Sequence, residues 1–217
     1  MKDFLQQEIF QGISDDVIQE ILEIDYLEET YAANELIKEK GEVLDEVAIV
    51  VSGCIKTNTF TREGKELNSS YFFGGDAFPF YLIYGGYTQY PYNVYCFKKS
   101  KVVWFPKEEL LSIVEKDTTF LVNVLKFVSE YAAYAKLLLR VSQYFKVQER
   151  LAYWLLVINE NNHYANIPNS QEVLADILMV NRSSLNQELK HLENLGIINL
   201  KNKRITIIDR EYLRALI

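Results

Sequence analysis

Glycine placement divides this chain into two kinds of polypeptide. Gly41, Gly53, Gly64 and Gly74/Gly75 recur about every 11 residues, which is the turn spacing of a small antiparallel β-structure. From Lys107 to Leu195 there is no glycine at all. Short apolar or alternating runs lie among the glycines: Glu35–Lys38, Val47–Val51, Ile55–Phe60, Leu67–Phe73, Tyr92–Phe97 and Val102–Phe105. They predict the strands of an antiparallel β-roll. Arg62-Glu63-Gly64-Lys65 is the clearest hairpin turn, because glycine takes the positive φ that such a turn needs. Ahead of the strands, Ser14 or Asp15 caps a short helix over residues 14–26, with Val17, Ile18, Ile21 and Leu22 as its apolar stripe.

After Lys107 the period becomes helical. Leu121, Val124, Val128, Tyr131, Ala135 and Leu138 recur at spacings of three and four, and Phe120, Phe127, Tyr134 and Val141 widen the stripe. Such a helix spans roughly 40 Å at 1.5 Å per residue. A stripe this wide can pack its own domain on one side and a second copy of itself on the other. Only a small β-domain is available to cover it, which favours a homodimer seam over burial within one monomer. The fold class expected is α+β in three parts: a β-roll domain with flanking short helices over 1–116, a long dimerisation helix over 117–145, and a DNA-binding domain over 146–217.

That last assignment rests on the segment following a second helix (Val147–Asn159) and a loop containing Pro168. Ser170 caps a helix whose Val173, Leu174 and Ile177 face inward, with small Ala175 where two helices approach closely. Leu178–Val180 makes the turn, and Asn181 caps the next helix, with Leu185, Leu189 and Leu192 on its buried side. Two short helices joined by a tight turn describe a helix-turn-helix, whose second helix enters the major groove. Arg182, Ser183, Asn186 and Gln187 are the expected base contacts, since Arg bridges guanine O6 and N7 and Gln reads adenine N6 and N7. Ser170, Asn181, Ser184 and Lys190 are expected at the phosphates. Gly196–Leu200, Lys201-Asn202-Lys203-Arg204 and Ile205–Ile208 read as strand, basic turn and strand, a wing that brings Lys201, Lys203 and Arg204 to the backbone. The net charge of −7 does not exclude this, because residues 181–217 carry seven Lys/Arg against four Asp/Glu.

At this point the chain resembles the CRP/FNR superfamily of bacterial transcription regulators along nearly its whole length. The helix-turn-helix follows that family's pattern T-x-E-x-L-A-x-x-L-G-V-S-R-x-T-L-x-R-x-L, with Met179 replacing the turn Gly, Asn181 the Ser and Gln187 the Arg. The resemblance implies a cyclic-nucleotide-binding-like, cupin-like roll, a dimer helix and a winged helix-turn-helix. It also implies double-stranded DNA and a second copy as partners, with RNA polymerase and a small-molecule effector as further ones. The family's nucleotide receptors use a G-E-(L/I)-(A/G) acid for the ribose and an Arg in Arg-Ser/Thr-Ala for the phosphate. Here Gly75-Asp76-Ala77-Phe78 precedes Pro79-Phe80-Tyr81, with Phe80 in the acid's place and Tyr90 in the Arg's. No Arg or Lys lies between Phe78 and Tyr95, so a buried cyclic phosphate would go uncompensated. Cyclic nucleotides are therefore not the expected effector. Phe78, Phe80, Tyr81, Tyr90 and Tyr92 either line a pocket for an aromatic or apolar effector or fill the vacated one. In the second case the regulator is effector-independent, with its roll a scaffold or interaction surface.

Other chemistries are disfavoured. Two cysteines, Cys54 and Cys96, cannot ligate an iron–sulfur cluster, though thiol redox sensing stays open, and the two histidines, His163 and His191, fall in the DNA-binding part. No cofactor or metal is expected. There is no phosphate-binding Gly loop, HExxH or GxSxG, so an enzyme is not expected. With no run of 18 apolar residues and a polar start after Leu5, neither a membrane span nor a signal peptide is expected, which points to the cytoplasm.

Overall fold

The computed structural model describes residues 2–60, 62–64, 66–161, 171–201 and 204–217, with side chains except at 66–69, 158–161 and 204. It divides into two compact units, Met1–Glu130 and Tyr131–Ile217.

The first unit opens with two 3-10 turns, Asp3–Gln6 and Glu8–Phe10, and helix α1 (Asp15–Glu23), where Ser14 Oγ accepts the Val17 N–H at 3.3 Å. Six strands follow: β1 (Leu27–Tyr31), β2 (Leu36–Lys38), β3 (Glu46–Phe60), β4 (Glu66–Phe73), β5 (Ala77–Phe78) and β6 (Asn93–Pro106). The short helix α2 (Phe80–Tyr84) lies between β5 and β6, and α3 (Lys107–Lys116) follows β6. All strand pairings are antiparallel, in the order β1-β6-β3-β4, with β2 added to β6 and β5 to β3.

Two pairs of runs read as separate strands are single long ones. Val47–Val51 and Ile55–Phe60 are both β3, and Tyr92–Phe97 and Val102–Phe105 are both largely β6. Gly53 makes a bulge inside β3 rather than a turn between strands. Its φ is +94°, and the register with β6 moves from Ser52↔Lys101 to Cys54↔Lys98. Ser100 Oγ accepts the Cys54 N–H at 2.9 Å and donates to the Lys98 carbonyl at 2.6 Å. A Cβ on Gly53 would lie 2.4 Å from the Lys99 carbonyl oxygen, so only glycine fits. The Arg62–Gly64 turn joins β3 to β4 with Gly64 at φ +79°, while Lys65 is outside the described residues.

The apolar run Val47–Val50 is buried on both faces of the sheet, which is why it reads as continuous rather than alternating. Val47, Ile49, Val103 and Phe105 join Phe4, Phe10, Ile21, Leu110 and Phe120 in a core between sheet and helices. Ala48, Val50, Val102 and Trp104 point to the opposite face and are also buried.

The long helix α4 runs Thr118–Val141, 24 residues, shorter than expected because Ser142–Tyr144 leave it as a turn. Asp117 Oδ1 accepts the Phe120 N–H at 2.6 Å and sets its start. The division between the units falls inside this helix. Part of the expected seam faces its own unit. Val124 is 1% exposed and belongs to the core of its own unit, with Leu121 and Val128 packed against that core. Val122, Leu125 and Leu139 instead are the exposed large apolar residues, at 54%, 57% and 66%. Tyr131 and Leu138 are half-buried, and Ala135 is exposed.

The second unit holds the end of α4, then α5 (Val147–Asn161), α6 (Gln171–Ile177), α7 (Arg182–Asn194), a two-stranded sheet of β7 (Ile198–Lys201) and β8 (Arg204–Ile207), and α8 (Arg210–Arg214). Leu151, Leu155, Val173, Leu174, Leu185, Leu189, Leu192 and Leu213 are buried in it. Asp209 caps α8 by accepting the Tyr212 N–H at 2.9 Å.

Candidate nucleic-acid interface and the interior of the roll

Helix α7 exists because its leucines repeat on one side. Leu185, Leu189 and Leu192 are buried, at most 2% exposed. At 100° per residue, Arg182, Ser183, Asn186, Gln187 and Lys190 fall within an arc of about 140° on the other side. Arg182, Ser183, Gln187 and Lys190 are exposed there, while Asn186 and Ser184 are half-buried. A row of guanidinium, hydroxyl, amide and ammonium groups is thus held out by an apolar anchor. Asn181 occupies the N-cap position, but its side chain makes no capping hydrogen bond, contrary to expectation. Ser170 and Lys203 lie outside the described residues, as do His163 and Pro168.

The turn between α6 and α7 keeps the shape that glycine ordinarily supplies. Met179 takes φ +52°, its N–H donates to the Asp176 carbonyl at 3.0 Å, and the Val180 N–H to that of Ala175 at 2.9 Å. Beyond α7, Ile198↔Ile207 through Lys201↔Arg204 pair as a hairpin. Glu193 on α7 accepts the Leu200 N–H at 3.1 Å, fastening the wing to the helix. Lys201 is exposed at the wing's end, opposite the backbone of Arg204.

One contributor escaped sequence reasoning. Arg150 on α5 donates through Nη1 to the carbonyls of Leu178 and Met179, at 3.0 and 2.8 Å, and through Nε to that of Tyr144 at 2.7 Å. No local signal marks it, since its partners lie in loops on both sides of α5.

The predicted effector residues do not form one group. Phe78 packs on Phe72, Tyr90 and Tyr92, with ring centroids 4.8, 6.0 and 6.5 Å apart, and Tyr81 stacks on Phe72 at 6.4 Å. The Tyr81 and Tyr92 hydroxyls are hydrogen-bonded to each other. Phe80 faces the other way: it is buried in the core between sheet and helices and stacks on Tyr84 at 6.3 Å. Strand alternation alone would put Phe78 and Phe80 on one face, but β5 ends at Phe78 and Phe80 begins α2, so Phe80 joins Ala77 in that core while Phe78 packs on Phe72 and Tyr90. Phe78 and Tyr90 are no more than 1% exposed, and the Tyr90 hydroxyl is buried with no hydrogen-bond partner among the described residues. Burial pushes that phenol well above its ordinary range. A cavity of about 80 Å³ lies elsewhere in this unit, bordered by Glu8, Gln11, Gly75, Asn123 and Lys126. It is far below the several hundred Å³ of an effector pocket.

Both thiols are buried and free. Burial pushes Cys54 up to about 12 and raises Cys96 as well, so neither is poised as a thiolate. Among the described residues no group of three or more His, Cys, Asp or Glu is placed to hold a metal, and no helix is long and apolar enough to cross a membrane.

Comparison with known proteins agrees with this arrangement. Residues 28–117 match the cyclic nucleotide-binding domain family and residues 149–216 the Crp-like helix-turn-helix domain family. No curated protein sequence matches the chain. Among solved structures, FixK2 from Bradyrhizobium japonicum is similar at 18% identity and TM-score 0.67, over 88% of this chain and 96% of that one. A CooA mutant from Carboxydothermus hydrogenoformans is similar at 17% identity and TM-score 0.72, over 97% and 94%. The catabolite activator protein of Thermus thermophilus is similar at 15% identity and TM-score 0.51, over 97% and 98%. At these identities the likeness shows the fold. With a cyclic-nucleotide-binding-type roll followed by a Crp-like helix-turn-helix, the chain belongs to the CRP/FNR superfamily of DNA-binding transcription regulators.

Proposed function

We propose that two copies of this chain act together in the cytoplasm as a sequence-specific regulator that does not respond to cyclic nucleotides. The exposed polar face of α7 carries the reading. Arg182, Ser183, Asn186 and Gln187 would contact base edges, and Ser170, Asn181, Ser184, Lys190, Lys201, Lys203 and Arg204 the phosphates. Gln187, where the family pattern has Arg, replaces a guanine-type contact with an adenine-type one. The dimer would form along α4 through Val122, Leu125 and Leu139, the apolar residues that one chain leaves uncovered. Its recognition helices would then enter successive major grooves about 34 Å apart.

For the roll, the mutual packing of Phe72, Phe78, Tyr90 and Tyr92 favours an interior filled by its own rings, and hence DNA binding without an effector there. The roll then serves as a scaffold or as a surface for RNA polymerase. Selection by the full chain from a pool of random duplexes, followed by footprinting, tests the reading. A pseudo-palindrome with half-sites one helical turn apart is expected, and no enrichment, or an unpaired half-site, contradicts it. Isothermal titration with cyclic AMP and cyclic GMP is expected to show no binding, and micromolar affinity would overturn the exclusion.

A further inference from the structure

The angle at which α7 is presented depends on the turn before it, and that turn is under strain. Met179 sits at φ +52°, where a side chain is costly and glycine is not. The Leu178 and Met179 carbonyls, left without partners by the end of α6, both accept from Arg150. The same guanidinium reaches the Tyr144 carbonyl in the turn after α4, and the Tyr144 ring meets that of Tyr153 on α5 at 5.3 Å. One planar cation therefore joins the loop at the end of α4 to the loop at the start of α7.

We infer that Arg150 is a positioning residue for DNA recognition: its guanidinium holds the left-handed turn at Met179 and ties it to the end of α4, so that the reading face of α7 is presented at a single angle. The inference rests on α7 being the reading helix. A lysine ammonium is a single point of charge and cannot bridge Tyr144 and the turn as a fork does. Glycine at 179 relieves the strain that the clamp opposes, so it should lessen the dependence on Arg150.

Hydrogen exchange and duplex binding by the full chain test this together. Arg150→Lys is expected to speed amide exchange by about tenfold at residues 178–185, since charge-assisted bonds to the turn are lost. It should also cut by about tenfold the preference for the duplex selected by the wild-type chain over a scrambled one, leaving affinity for the scrambled duplex within about twofold. Adding Met179→Gly should restore most of that preference. Unchanged exchange overturns the clamp. Faster exchange with wild-type preference overturns the role in recognition, and so does an equal loss on both duplexes that Met179→Gly fails to rescue. A wild-type chain that selects no duplex contradicts the assignment of α7 itself and with it the role in recognition, while exchange alone then decides the clamp.

Discussion

The two units of this chain treat polar chemistry in opposite ways. In the second, leucines anchor α7 so that Arg182, Ser183, Gln187 and Lys190 stand in solvent, free to exchange water for a ligand. In the first, Phe72, Phe78 and Tyr90 turn their rings on one another, and the Tyr90 hydroxyl has no hydrogen-bond partner among the described residues. The contrast teaches that output and input can diverge separately. The head keeps the turn's left-handed backbone even after losing its glycine, because Arg150 and the ladder bonds around Met179 hold it. The roll keeps its strands and bulge around an interior of packed aromatic rings.

The contrast breaks most readily at Phe78. If the rings fill the roll, Phe78→Ala removes a packed core side chain and lowers stability by about 3–5 kcal/mol in urea unfolding. A loss below about 1 kcal/mol would mean an open pocket. Tyr90→Phe sharpens the point with a smaller effect. Removing a buried hydroxyl with no partner among the described residues should raise stability by about 1 kcal/mol, whereas a loss would show that the roll interior does bond that oxygen.

The smallest effect concerns Asp76, at the turn between β4 and β5. Its carboxyl accepts the Phe73 N–H at 2.6 Å, but burial, helped by the Glu8 carboxylate, pushes it from 3.8 up to about 6. The folded chain then keeps a proton that the unfolded chain has released. The stability from this group is present below about 4 and is lost as pH rises through about 6. Asp76→Asn should flatten unfolding stability between those values, and an unchanged slope would assign it to other groups.

The head was readable almost residue by residue, because capping, helical period and hairpin alternation are local signals. Other features depend on what lies across a gap in sequence. Strand β1, Leu27–Tyr31, is largely exposed at a sheet edge and shows no apolar alternation, so only pairing with β6 identifies it. Gly53 has the composition of a turn, and its bulge is evident only once Ser100 and Lys98 lie beside it. The stripe on α4 was wide enough to permit several outward faces, and the first unit's core, by taking in Val124, leaves Val122 and Leu125 exposed. Phe78 and Phe80, two apart, looked equivalent, but β5 ends at Phe78 and Phe80 starts α2, which puts them in different clusters. Arg150 was silent for the same reason, since its acceptors are backbone carbonyls 28 and 29 residues farther along.

The most direct test of the reading face is the affinity of Arg182→Ala for the duplex that the wild-type chain selects, measured beside every single-base variant of that duplex. The expected result is a loss of about 1–3 kcal/mol, together with relaxed preference at one position in each half-site. Unchanged affinity for the selected duplex, with preference intact at every position, would contradict the placement of α7 against the bases.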